Sequence, residues 1–141
     1  MTSGTEMLTR PQNYALLIAR LCMASLFLWS GLEKMLDYRG AVGFAAHMGV
    51  PSAAQLMPGA IILEIGAALA LVTGWYARTA AALLAVWMLI LGPWFHQFWN
   101  APPQLWQLMV DDFFHHFVMI GGMIYVVVFG PGDYALSRRR P

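Results

Sequence analysis

A chain of 141 residues has room for one domain, and this one is 60% apolar, only 11% charged, with a mean hydropathy of +0.60. Soluble domains carry about 25% charged residues and small ones have much surface to cover, so a water-soluble globule is excluded and lipid is the solvent. The net charge of +1 excludes an electrostatic nucleic-acid binder, and the single cysteine, Cys22, excludes an intramolecular disulfide or a cysteine metal cluster.

Four apolar stretches are long enough to cross a bilayer core of about 30 Å, which takes about 20 helical residues. The first runs from about Tyr14 to Leu36, carries Arg20, and is too long for a cleavable signal. Asp37–Gln55 follows, broken by Gly40, Gly43, Gly49 and Pro51, with a short interfacial helix expected over Ala41–Met48. The second span, about Leu56–Thr73, holds Glu64. Gly74-Trp75-Tyr76 reads as a tight turn into the third, about Ala77–Phe98, which carries His96 near its end. Asn100–Asp112 contains Pro102-Pro103 and reads as a loop with a short helix through Leu105–Met109. The fourth span, about Phe113–Phe129, opens with His115-His116, and a polar tail follows Gly130-Pro131-Gly132. These runs are rich in Leu, Ala and Met and show no period-two alternation, so strands are excluded. The ten methionines are scattered and read as core filler. The pattern predicts an all-α membrane protein, a single four-helix transmembrane bundle over residues 1–141.

Lysine and arginine set the expected orientation. Arg10, Arg78, Arg138, Arg139 and Arg140 fall at one end; Lys34 and Arg39 fall at the other, beside Glu33 and Asp37. Both termini are therefore expected in the cytoplasm and the two long connections outside, in a multi-pass protein of the inner (plasma) membrane.

Charge inside a span costs about 2.5–3.5 kcal/mol at its centre, so Arg20 and Glu64 are the first residues to question. Arg20 lies about 9 Å in from one surface and Glu64 about 12 Å in from the other. An ion pair between the first and second spans is expected. Helical periodicity puts Arg20, Ala24, Phe27, Gly31 and Lys34 on one stripe, Glu64 with Ala60, Ala67 and Ala68 on another, His96 with Gly92, and His115 with Met119 and Gly122. Small residues allow close helix approach, so these stripes should face the bundle interior. His115 is expected inward and His116 toward a neighbour or the loop.

The outer half of the bundle then gathers Glu64, Lys34, His96, His115 and His116. No recognised metal-ligand spacing occurs, and a haem or a His-ligated metal fits this pattern less well than a quinone. Histidine and glutamate supply the protons a quinone takes up on reduction, and lysine hydrogen-bonds a carbonyl oxygen. Nearby aromatics such as Trp94 and Trp99 suit apolar pocket walls.

In order along the chain, Arg20, Phe27-Leu28-Trp29-Ser30-Gly31-Leu32-Glu33-Lys34, Leu63-Glu64-Ile65-Gly66-Ala67-Ala68, Arg78-Thr79-Ala80, Phe95-His96-Gln97-Phe98-Trp99 and Gly121-Gly122 resemble the DoxX family. The resemblance implies a small four-helix integral membrane protein. The family includes the membrane subunit type of thiosulfate:quinone oxidoreductases. By motif, Arg20, Lys34, Glu64, His96 and Trp99 carry over. Where the family usually has Lys-Asn, this chain has His115-His116, which removes a cation and adds two titratable groups.

The expected function is a membrane subunit of a redox system. Glu64, His96 and His115 would do proton chemistry, while Arg20, Lys34, Trp99 and His116 would hold a quinone. Lacking any nucleotide motif or cysteine pair, such a subunit needs a redox partner protein or its own oligomer. The alternatives are a non-catalytic anchor or assembly subunit and a small-solute carrier.

Overall fold

The computed structural model describes residues 9–136; Arg138, Arg139 and Arg140, counted above for orientation, lie outside the described residues. The elements are α1 (Arg10–Leu36), α2 (Tyr38–His47), α3 (Ala53–Thr73), α4 (Ala77–Phe95), a 3-10 turn (Phe98–Asn100) and α5 (Pro103–Phe129), with no strand among the described residues. Four helices are long and apolar enough to cross a membrane: α1, α3, α4 with its short continuation to Asn100, and α5.

Local chemistry sets the helix limits. Gln12 accepts a hydrogen bond from the Thr9 backbone N–H at the start of α1, next to Pro11 in the first turn. Asp37 ends α1 and starts α2, its carboxylate accepting from the Gly40 N–H at 3.0 Å. Gly74, with φ +76°, stops α3. Pro58 lies inside α3 and offers no N–H, so the Ala54 carbonyl loses its partner one turn back. The Tyr38 hydroxyl donates to that oxygen at 2.8 Å and ties α2 to α3.

The short helix expected over Ala41–Met48 is α2, begun three residues earlier. The connection before the fourth span differs more. Instead of a loop and a separate short helix, α5 runs unbroken from Pro103. Proline suits the first helical position, and Gln104–Ile120 contains no glycine or proline to interrupt the helix. At 27 residues α5 is about 40 Å long, so its first turns reach beyond a core of about 30 Å.

The most extensive pairings are α1 with α3 and α4 with α5, and α3 also packs on α4. The main core joins Met23, Ala24 and Phe27 to Ala68, Leu71, Leu84 and Met123. It fills the half of the bundle toward the termini. In the other half α2 closes over the bundle, with Ala45 packed among Ala53 and Met57. The aligned stripe of α1 is buried as expected at Arg20, Ala24, Phe27 and Gly31, as is that of α3 at Ala60, Glu64, Ala67 and Ala68. Gly31 has a specific reason. A Cβ there would lie 2.6 Å from Cγ1 of Ile65, so only glycine lets α1 and α3 come this close.

Candidate functional site

Arg20 and Glu64 are both fully inside the bundle, at 0% and 2% exposure, yet they do not pair with each other. Arg20 donates through Nη1 to the Leu71 carbonyl at 3.1 Å and through Nη2 to the Tyr134 carbonyl. Leu71 stands seven residues past Glu64, about 10 Å farther along α3, so the expected ion pair is out of reach. Arg20 instead caps the last turn of α3, where carbonyls lack helical partners and the helix dipole is negative. It also fastens the segment after α5. Asn13 and Asp133 exchange two hydrogen bonds there, at 2.7 and 2.9 Å, and the Leu136 N–H donates to the Thr73 carbonyl. Both described ends of the chain thus meet at one end of the bundle. A Cβ on Gly74 would come within 2.5 Å of the Arg20 Nη1, so this clasp needs glycine at the turn for space as well as for φ.

Glu64 finds its cation on the same helix stripe as Arg20, four turns later. Lys34 Nζ lies 2.9 Å from Glu64 Oε2, and the lysine also donates to the Ser30 hydroxyl. Trp87 Nε1 donates to the other carboxylate oxygen, Oε1, at 3.1 Å. Three helices therefore meet at one carboxylate, with both its oxygens engaged. Desolvating a charge this deeply is tolerable only with such partners. Trp87 was not anticipated. The signal is in the sequence, however: it lies ten residues into α4, about 15 Å deep, far from the interfacial belts where membrane tryptophans collect, and a buried indole N–H seeks an acceptor.

Lys34, Glu64 and Trp87 form the floor of a cavity of about 550 Å³ beneath α2. Glu33 and Asp37 line it from the end of α1, Phe44 from α2, Ala60 and Met57 from α3, and Trp94 and Phe95 from α4. His96 and His116 line it at the α4–α5 side, their rings 4.7 Å apart between centroids. The Phe44 and Phe95 rings, 5.7 Å apart, join α2 to the end of α4.

The two neighbouring histidines exchange their expected places. His116 faces the cavity, while His115 is 73% exposed. The inward stripe of α5 carries Ile120, Met123 and Val126, and His116 precedes Ile120 by four residues; His115 is rotated about 100° away. His116 Nδ1 lies 2.9 Å from the Asp112 carbonyl, and a carbonyl only accepts, so Nδ1 carries the proton and Nε2 the lone pair when the ring is neutral. His96 Nδ1 and His115 Nδ1 each stand 3.8 Å from an Asp112 carboxylate oxygen. Of the residues singled out from the sequence, Lys34, Glu64, His96 and His116 line one cavity. Arg20, Trp99 and His115 do not line it. No group of three or more metal-ligating side chains with suitable geometry occurs among the described residues.

Comparison with known proteins places the chain in a family. The DoxX family model matches residues 15–97. The inner membrane protein YqjF of Escherichia coli (strain K12) is 32% identical over 127 residues, spanning 90% of this chain and 92% of that protein. The inner membrane protein YphA of the same organism is 27% identical over 124 residues, spanning 88% of this chain and 89% of that protein. No solved structure matches the chain. With four membrane-spanning helices and these relatives, the chain is an integral membrane protein of the DoxX family.

Proposed function

We propose that this protein is an inner-membrane subunit of a redox system and that its cavity beneath α2 binds a quinone. The observation that carries the reading is the layout of that cavity. A charged, hydrogen-bonded floor of Lys34, Glu64 and Trp87 faces a space of about 550 Å³ with mostly apolar walls, and two imidazoles border one side. A quinone is a flat apolar ring with two carbonyl oxygens. It needs donors at its oxygens and apolar or aromatic surface on its faces. Lys34 and His96 supply donors, His116 adds one when its Nε2 is protonated, and Trp94 and Phe95 supply surface.

Reduction of a quinone to the quinol takes two electrons and two protons. The electrons come from a partner redox protein. The protons come through His96 and His116, the second of which donates from Nε2 once that nitrogen has taken a proton. Glu64, with both oxygens already engaged, holds Lys34 in position rather than delivering protons itself. His115 and Asp112 stand at the solvent side of the pair and refill it. The orientation expected from the arginines puts this end outside the cell membrane's cytoplasmic face.

The test is binding of a water-soluble benzoquinone to the purified protein, followed by quenching of tryptophan emission, with organic extraction of a fresh preparation to identify any native quinone. His96→Ala should weaken binding by about tenfold, the worth of one hydrogen bond to a polar ligand atom, and His116→Ala should do the same in acid, where its Nε2 carries a proton. His115→Ala should leave it unchanged. A parent protein that neither carries nor binds a quinone overturns the reading and leaves a membrane anchor or assembly subunit in its place.

A further inference from the structure

The cavity does not end inside the bundle. Leu56 and Ile90 line it and yet are 55% and 46% exposed. On α3, Ile65 faces α1 at Gly31. Leu56 precedes it by nine residues, which at 100° per residue puts it on the opposite flank, the one away from α1. On α4, Ile90 follows buried Met88 by two residues and so sits about 200° round the helix, on its outer side. Trp87, which reaches across from α4 to α3, marks the lower limit of this seam. Ile90 is 13 residues along from Ala77, about 20 Å, so the seam lies within a hydrocarbon core of about 30 Å.

We infer that the cavity opens sideways into the bilayer between α3 and α4, at Leu56 and Ile90, and that its ligand is a lipid-dissolved quinone whose isoprenoid tail leaves through that opening. The inference rests on the quinone reading of the cavity and adds how the molecule arrives and what else it must carry. The charges choose between membrane-dissolved occupants. Three acids, Glu33, Asp37 and Glu64, line the space with one lysine, Lys34. A phosphate headgroup would meet net negative charge, whereas a neutral head with carbonyl oxygens meets the lysine and the imidazoles. Outward from that floor, Ala60, Leu56, Ile90 and Trp94 give an apolar track suited to a hydrocarbon tail.

The experiment compares a tail-less dimethoxy-methylbenzoquinone with its decyl-tailed homologue, titrated calorimetrically into the purified full-length protein in detergent. Ile90→Trp and Leu56→Trp fill the opening from its two sides, at positions exposed enough to tolerate the larger ring. Partition of the tailed quinone into micelles is common to parent and variants, so it cancels in the ratio of affinities. In each variant the advantage of the tailed quinone should fall by about tenfold or more, as expected when only about two methylenes lose a buried wall. The tail-less quinone should bind as in the parent, which also shows that the variants are folded. An unchanged tail advantage in both variants overturns the sideways opening and leaves the quinone site standing. Binding of neither quinone by the parent overturns the site itself. A stoichiometric phospholipid that decyl-quinone does not displace overturns the assignment of the occupant.

Discussion

Lys34 on α1 and Glu64 on α3 stand 2.9 Å apart, the lysine a quarter exposed and the glutamate at 2%. Removing the cation alone strands the carboxylate in an apolar bundle. Lys34→Met should therefore cost about 2–4 kcal/mol, somewhat below a wholly enclosed pair because the lysine reaches the cavity. The double change Lys34→Met with Glu64→Met should recover most of that loss. Thermal unfolding in detergent measures both. By contrast, Arg20→Gln and Glu64→Gln should add to within about 0.5 kcal/mol, since they share no partner. A large coupling between those two would restore the ion pair read from the sequence.

Arg20 holds two separate pieces of chain, the last turn of α3 and the segment after α5. Lysine keeps the charge but not the fork of donors that reaches two carbonyls at once. Arg20→Lys should thus destabilise the protein by about 1–3 kcal/mol through the lost hydrogen bond to a charged group. It should also speed proteolytic cleavage around Asp133–Leu136. Cleavage at the parental rate would mean that the Asn13–Asp133 and Leu136–Thr73 hydrogen bonds hold the segment without Arg20.

Tyr38 and Pro58 form a compensating pair, because the proline frees the Ala54 carbonyl that the phenol then takes. Tyr38→Phe should cost about 0.5–1.5 kcal/mol. In a Pro58→Ala background the residue at 58 again has an N–H for Ala54, and the same Tyr38→Phe change should cost markedly less. Equal costs in the two backgrounds would show that the phenol acts only by covering α3.

Gly31 controls how closely α1 approaches α3. A methyl group there would sit 2.6 Å from Cγ1 of Ile65 and 3.5 Å from the Glu64 Cβ. Gly31→Ala should cost about 1–3 kcal/mol as overpacking and shift Lys34 relative to Glu64. Trimming the obstacle with Ile65→Ala should relieve part of the loss. Stability of the single variant equal to the parent's would show that Ile65 simply turns aside.

The sequence by itself determined the solvent, the number of spans and most of the faces. Apolar runs of membrane length with so few charges leave only helices as a way to satisfy the backbone in lipid. Small residues at helical spacing showed that the faces of Arg20 and Glu64 turn inward. Lys34, Glu64 and His96 were legible as one outer group from their depth along the spans. Pairing between helices was not legible. Depth counted along separate helices carries an error of a turn or more, and about two turns separate Glu64 from the Leu71 carbonyl that Arg20 meets. The His115–His116 choice failed on rotation: adjacent residues differ by about 100°, and the stripe of Met119 and Gly122 reads as inward whereas the core takes Ile120, Met123 and Val126. The depth of Trp87 is legible in the sequence, but its acceptor, Glu64, exists only across the α3–α4 contact. The cavity, too, belongs to tertiary structure. It arises where α2, tied to α3 by Tyr38 and Ala54, covers the ends of α1, α3 and α4, and no single stretch of sequence encodes an empty space.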